Sequence, residues 1–147
     1  MNISLKKIDK TNFEAVVDLD VHESQKRFVA PNMYSIAEAS VYESMHAYAI
    51  YDNDTPVGFT MYGRSDEDDK LWIVRLMVDA SHQRKGYGTK ALGLLLDKMH
   101  DEYGREDVYL STSPDNETVI AFYERHGFRK TGAMVDDELV MCRFYYC

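Results

Sequence analysis

Two cysteines, three prolines and one tryptophan stand in a chain of 147 residues. Cys142 and Cys147 are too few to staple a fold, which excludes a disulfide scaffold and points to a reducing, cytoplasmic setting. No apolar run approaches the ~20 residues that cross a bilayer, and Met1 to Lys10 lacks the apolar stretch of a secretory signal, so no membrane partner is expected. Positive charge is also scarce. Lys and Arg total 17 against 25 Asp and Glu, a net charge of -8, which disfavours a sequence-independent grip on nucleic acid or anionic lipid and suits small cationic partners. Pro31, Pro56 and Pro114 fall where loops are otherwise indicated, and no repeat or Pro-rich linker divides the chain. Residues 1–147 are therefore expected to form one domain, a length that buries ~70% of the unfolded surface.

The hydrophobic period supplies the elements. Ile3, Leu5 and Ile8 suggest a first strand. Thr11 with Glu14, and Ser35 with Glu38, read as capping boxes opening two helices. Between these helices His22 to Tyr34 has no clean period and is expected to be a functional loop. Ala47–Tyr51, Val57–Tyr62 and Leu71–Val78 then follow as an antiparallel meander. After Val78 the period lengthens: Ala91, Leu92, Leu95 and Met99 share one helical face, with Gly104 placed to end that helix. Val108–Thr112 reads as a strand, Val119–Arg125 as a helix, and Phe128–Thr131 and Leu139–Tyr145 as closing strands. The expected fold is mixed α/β, a central mixed sheet with an antiparallel N-terminal part and helices on both faces.

Gln83-Arg84-Lys85-Gly86-Tyr87-Gly88-Thr89 stands between a strand and a long helix, where backbone N–H groups can point outward at the helix start. Glycines at 86 and 88 let an oxygen-rich group approach the backbone, and Arg84 and Lys85 add charged donors. Taken alone, the pattern is either a pyrophosphate cradle or a plain turn into a helix. It matches neither the G-x-x-x-x-G-K-[ST] loop nor the third glycine of G-x-G-x-x-G.

The run V-D-x-x-x-Q-R-K-G-Y-G-T resembles motif A of the GNAT superfamily of N-acetyltransferases, whose Q/R-x-x-G-x-G/A consensus is matched by Gln83, Gly86 and Gly88. Asn116 to Phe128 is similar to the N-x-x-A-x-x-F-Y-x-x-x-G-F segment of the same family. Leu71 to Asp79 and the stretch from Phe28 to Ser35 look most like bacterial spermine/spermidine acetyltransferases. The resemblance implies that the strand ending at Val78 splays from the one starting at Val108. Acetyl-CoA would lie in the gap, its pantetheine arm paired with backbone near Leu76, Met77 and Val78 and its pyrophosphate on Gln83, Arg84, Lys85, Gly86, Tyr87, Gly88 and Thr89. Asn116 and Tyr123, about two helical turns apart, would face the thioester, with Tyr123 as the general acid.

The implied reaction transfers an acetyl group directly to a primary amine of a small polyamine. The alternatives are another small amine, an aminoglycoside, a protein N-terminus, or an acyl-CoA sensor without turnover. Many family members carry a carboxylate in the strand before the loop, whereas Arg75 is the sole charge in this one, so a water relay is expected to remove the amine proton. Asp20, Glu23 and Glu43 are the candidate carboxylates for a polycation. His22, His46, His82, His100 and His126 lack ligand spacing, so no metal is expected. A homodimer is left open as the assembly.

Overall fold

The computed structural model describes residues 1–145, so Cys147 lies outside the described residues. In chain order the elements are β1 (Ile3–Lys7), α1 (Phe13–Asp18), a 3₁₀ helix (Glu23–Phe28), α2 (Asn32–Val41), β2 (Met45–Asp52) and β3 (Thr55–Arg64). There follow β4 (Leu71–Val78), a 3₁₀ turn (Ala80–His82), α3 (Tyr87–Tyr103), β5 (Val108–Thr112), α4 (Glu117–Arg125), β6 (Arg129–Val135) and β7 (Glu138–Arg143). The strands make one seven-stranded sheet in the order β1-β2-β3-β4-β5-β7-β6. β2, β3 and β4 form the expected antiparallel meander, and β4 beside β5 is the parallel pair, which α3 makes possible as a crossover.

Alternation along the strands separates two layers. Ala49 and Tyr51 of β2 and Phe59 and Met61 of β3 pack with Val16 of α1 and Ile36 of α2. On the opposite face, Tyr62, Leu71 and Ile73 pack against Leu92, Leu95 and Met99 of α3 and Ile120 and Tyr123 of α4. Ile50, Val57, Tyr87 and Ala91 extend this second layer towards the start of α3. Helices thus cover both sheet faces, and Gly104 terminates α3 as its spacing predicts.

Register breaks once between β3 and β4. Met61 faces Arg75 while Tyr62 faces Ile73, so Val74 is an extra residue on β4. Leu71 and Ile73 point to the α3 side before this bulge, as do Leu76 and Val78 after it. Val74 and Met77 point to the α1/α2 side. A bulge bends its strand and increases its twist, and here the bend falls where β4 leaves β5. Only Leu71 and Trp72 pair with β5, opposite Val108 and Tyr109. The expected splay is therefore present, with its vertex at Trp72 and its mouth at Val78.

Neither expected capping box forms. α1 starts at Phe13 behind Asn12, because the Asp9 carboxylate takes both the N–H and the hydroxyl of Thr11 while Asn12 Oδ1 accepts the Asp9 N–H. α2 starts at Asn32 behind Pro31, which places Ser35 one turn inside, fully buried. The i,i+3 spacing of a capping box also sets two side chains on one helix face, and Ser35 and Glu38 use it in that second way. Much of the expected loop from His22 to Tyr34 is helical, first 3₁₀ and then the opening of α2.

Candidate active site

Past Trp72, the β4 edge facing β5 has no strand partner among the described residues, although β4 stays paired with β3 through Val78. Unpaired donors and acceptors on an interior strand call for a partner, and an extended chain with its own amides would complete the ladder. Leu76 and Val78 lean towards α3, and Met77 is buried on the other face against α1 and α2. What these three residues offer to the gap is backbone.

The mouth of the gap meets the start of α3. Arg84 at φ 63° and Gly86 at φ 87° both adopt the left-handed conformation, which turns successive N–H groups into a concave cradle. A Cβ built on Gly86 would meet only the Met1 methyl, at 3.9 Å, so it is the positive φ and not crowding that calls for glycine there. Gly88 has another use. Its Cβ would lie 3.5 Å from the Phe122 ring, an ordinary contact, so a methyl would fit there and anything larger would press on α4. Gly86 caps the helix without any side-chain hydrogen bond, and the first-turn N–H groups of an α-helix have no internal acceptors. Arg84 and Lys85 are exposed, and neither joins an ion pair among the described residues.

Two side chains of the expected cradle are turned elsewhere. Tyr87 is buried beneath the loop, and its hydroxyl donates to Asp52 Oδ2 at 2.6 Å; that bond pushes the phenol pKa up and holds the Asp52 carboxyl down. Gln83 Nε2 donates to the Val78 carbonyl at 2.9 Å and to Gln25 Oε1 at 2.9 Å. Gln83 and Tyr87 therefore have only their backbone to offer at the loop surface.

Tyr123 sits in the core with its ring against Phe122 and Phe128. Burial pushes its phenol above the ordinary tyrosine range, so the group stays a neutral donor. Among the described residues Ser44 Oγ is the one sealed side-chain polar atom without a partner. The Tyr123 hydroxyl makes no hydrogen bond among the described residues. Asn116 caps the same helix with its amide free of any cap bond, one residue before α4 begins.

The acceptor-side carboxylates divide. Asp20 and Glu23 lie together over the C-terminal end of β4 and share the ammonium of Lys26, at 3.5 and 2.9 Å. The Glu23 hydrogen bond, aided by the charge of Asp20, raises the Lys26 pKa. Asp79 anchors this segment by accepting the Asp20 N–H at 2.8 Å. Burial opposes charge on Asp79, but hydrogen bonds from Ser81 and Asp20 outweigh it and hold the carboxyl below its ordinary range. Glu43 does not join them. It precedes β2, whose first residue Met45 faces Gly63 and, through it, Trp72 at the far end of β4. The three carboxylates therefore cannot line one pocket, because a whole strand length separates Glu43 from the other two.

Arg75, the lone charge of its strand, is held in place. Nε donates to Ser35 Oγ at 3.1 Å, Nη1 to the Val74 carbonyl at 2.8 Å, and Nη2 to Glu38 at 3.3 Å. The guanidinium thus satisfies the bulge carbonyl and pins α2 to the bend. Sequence reasoning found Arg75 but gave Ser35 and Glu38 a different task, and it missed Gln25 altogether; a polar residue in a stretch without period carries no signal of its partner.

The acetyltransferase (GNAT) family profile matches residues 13–128. The chain is 30% identical over 140 residues to the spermine/spermidine N(1)-acetyltransferase of Bacillus subtilis, covering 91% of this chain and 92% of that one. In fold it is similar to spermidine N-acetyltransferase from Vibrio cholerae in complex with CoA and spermine, with a TM-score of 0.79 at 13% identity over 99% of this chain and 96% of that one. It is likewise similar to AAC(6')-Ib in complex with ribostamycin and coenzyme A, with a TM-score of 0.80 at 18% identity over 99% and 95% of the two chains. The seven-stranded mixed sheet with helices on both faces is thus a known architecture, and the chain belongs to the acetyltransferase (GNAT) family as an acetyl-CoA-dependent N-acetyltransferase.

Proposed function

We propose that this enzyme acetylates a primary amine of a small polyamine of the spermidine and spermine class. The observation that carries the reading is the pair Asp20 and Glu23, which already holds one primary ammonium, that of Lys26, between two carboxylates beside the mouth of the β4–β5 gap. A polyamine offers the same ammonium group on a flexible chain and has others left to react. The net charge of -8 favours encounter with polycations, and the relative named for spermine and spermidine covers nearly the whole chain.

The residues present fit acetyl-CoA. The free edge from Ile73 to Val78 suits an extended amide-bearing arm, and the N–H groups from Arg84 to Thr89, with the Arg84 and Lys85 side chains, suit a pyrophosphate. Bound there, acetyl-CoA supplies an activated acyl carbon and a thiol leaving group. Asn116 and Tyr123 then lie on the α4 side of the gap. Reference pKa values of ~10 for tyrosine and ~8.5 for a thiol make full proton transfer from phenol to thiolate uphill by about 2 kcal/mol, and burial of Tyr123 steepens that slope. Tyr123 accordingly acts by donating a hydrogen bond to the departing sulfur, without surrendering its proton outright. On the amine side, a lysine-like pKa of ~10.4 leaves about one molecule in a few thousand neutral at pH 7. β4 carries no carboxylate, and its sole charge, Arg75, is a cation that cannot take up a proton, so water is the carrier for that proton.

The test compares kcat/KM for spermidine with that for a simple alkyl monoamine at low and moderate salt. Spermidine is expected to be favoured at both, with the margin narrowing as salt screens the long-range field. Equal values at both salts would replace the polyamine reading with a general small-amine one.

A further inference from the structure

We infer that Gln25 is a positioning residue for coenzyme binding, acting through Gln83; the inference rests on the proposed use of the Gln83–Thr89 loop as the pyrophosphate site. Gln83 opens the glycine loop, yet its amide faces inward. Nε2 gives one hydrogen to the Val78 carbonyl and the other to Gln25 Oε1, both at 2.9 Å, and Gln25 Nε2 returns a bond to Gln83 Oε1 at 3.2 Å. The two amides form a closed, reciprocal pair.

Backbone groups fix the orientation of both. The Val78 carbonyl needs a donor, so the nitrogen of Gln83 must face it. The His22 N–H needs an acceptor and reaches Gln25 Oε1 at 3.1 Å, so the oxygen of Gln25 must face that way. Exchanging oxygen and nitrogen in either amide would set like against like.

This one pair joins three pieces of chain that are distant in sequence: the 3₁₀ helix, the end of β4 and the head of the loop. Val78 closes the open strand edge and Gln83 begins the cradle. The tie between them sets the distance between two surfaces that a single extended ligand would bridge. Without Gln25, Gln83 keeps one of its three hydrogen bonds and regains rotamer freedom, so the bridge must be ordered again whenever ligand binds. Ordering one such side chain again on binding corresponds to a decrease of about fivefold in affinity.

The experiment is titration calorimetry of coenzyme A into the whole chain and its Gln25→Ala, Gln83→Met and doubly substituted forms, with thermal midpoints to confirm folding. Gln25→Ala is expected to weaken coenzyme A about fivefold and Gln83→Met at least as much. The double variant should match Gln83→Met alone, because one link is being cut twice. KM for acetyl-CoA should rise in step while kcat at saturation stays within about twofold, a split that general destabilisation would not give. Gln83→Arg, which keeps donors for both Val78 and Gln25, should recover most of the affinity at moderate salt, and amides 23–28 should exchange faster in both single variants. Unchanged affinity in Gln25→Ala, losses that multiply in the double variant, or unaltered exchange of 23–28 in Gln83→Met would each overturn the inference. Failure of the unsubstituted chain to bind coenzyme A is a separate result that removes the loop reading itself.

Discussion

The loop from Gln83 to Thr89 and the segment from Asp20 to Phe28 meet at the end of β4, where they present opposite kinds of surface. The loop offers backbone: left-handed Arg84 and Gly86, N–H groups at the head of α3, and two cations without ion-pair partners among the described residues. The segment offers side chains that are already satisfied, with Lys26 between Asp20 and Glu23 and Gln25 on Gln83. On the proposed reading, a coenzyme would meet a loop whose cations have no ion-pair partner among the described residues, whereas an amine would compete with Lys26 for Asp20 and Glu23. Binding at the first surface would be set by conformation, and at the second by competition.

Four variants sharpen that contrast, from the largest expected effect to the smallest. Tyr123→Phe keeps the ring among Phe122 and Phe128 while deleting the donor, and should lower kcat about a hundredfold with coenzyme A affinity unchanged. Single-turnover kinetics with chemistry rate-limiting decide it; unaltered turnover would return the residue to a packing role. Gly88→Val places branched carbon over the cradle and beside Phe122, and calorimetry should show coenzyme A affinity reduced by roughly tenfold or more, in line with several lost charge-assisted contacts. An unchanged affinity in a folded variant would break the conformational account of the loop.

Asp20→Asn with Glu23→Gln should raise KM for spermidine by about threefold to tenfold and leave a monoamine's KM within twofold, as befits exposed ion pairs. Glu43→Gln, at the far end of β4, should leave both values where they were. A selective effect of Glu43→Gln would mean that the acceptor lies along the whole strand.

A pH profile separates the two surfaces again. Burial raises the Tyr123 pKa, so the donor form persists to beyond the ordinary tyrosine value of ~10. The rate should climb with pH as more amine becomes neutral, without a falling limb from Tyr123 below pH ~10. A falling limb under pH 9 that disappears in Tyr123→Phe would contradict the burial argument.

The change of hydrophobic period after Val78 and the turn-forming residues made the meander, α3 and the succession of strands and helices along the chain readable from sequence. The glycine loop was readable as a turn into a helix, and it and the α4 segment also through their resemblance to family patterns at fixed spacing. The bulge was not. Leu71 to Val78 is apolar at every position but Arg75, so there is no polar alternation whose phase could be seen to slip. Ser35 and Glu38 were misread because a capping box and a shared helix face have the same spacing. Glu43 was grouped with Asp20 and Glu23 by proximity in sequence, and β2 carries it to the other end of the sheet. Gln25 was invisible for a related reason: its partners, Gln83 and Val78, are brought to it only by the completed fold.

The extra residue at Val74 acts like a dislocation in a crystal row, where the lattice is intact on either side and offset across a single site. Such a defect confines misfit. Leu71 and Ile73 keep the close fit of the interior, while the stretch from Arg75 to Val78 runs out of phase with them and is free to follow a different neighbour. One chain segment can therefore be both a foundation and a berth, and the Arg75 guanidinium on the Val74 carbonyl is the pin that keeps the defect from migrating along the row.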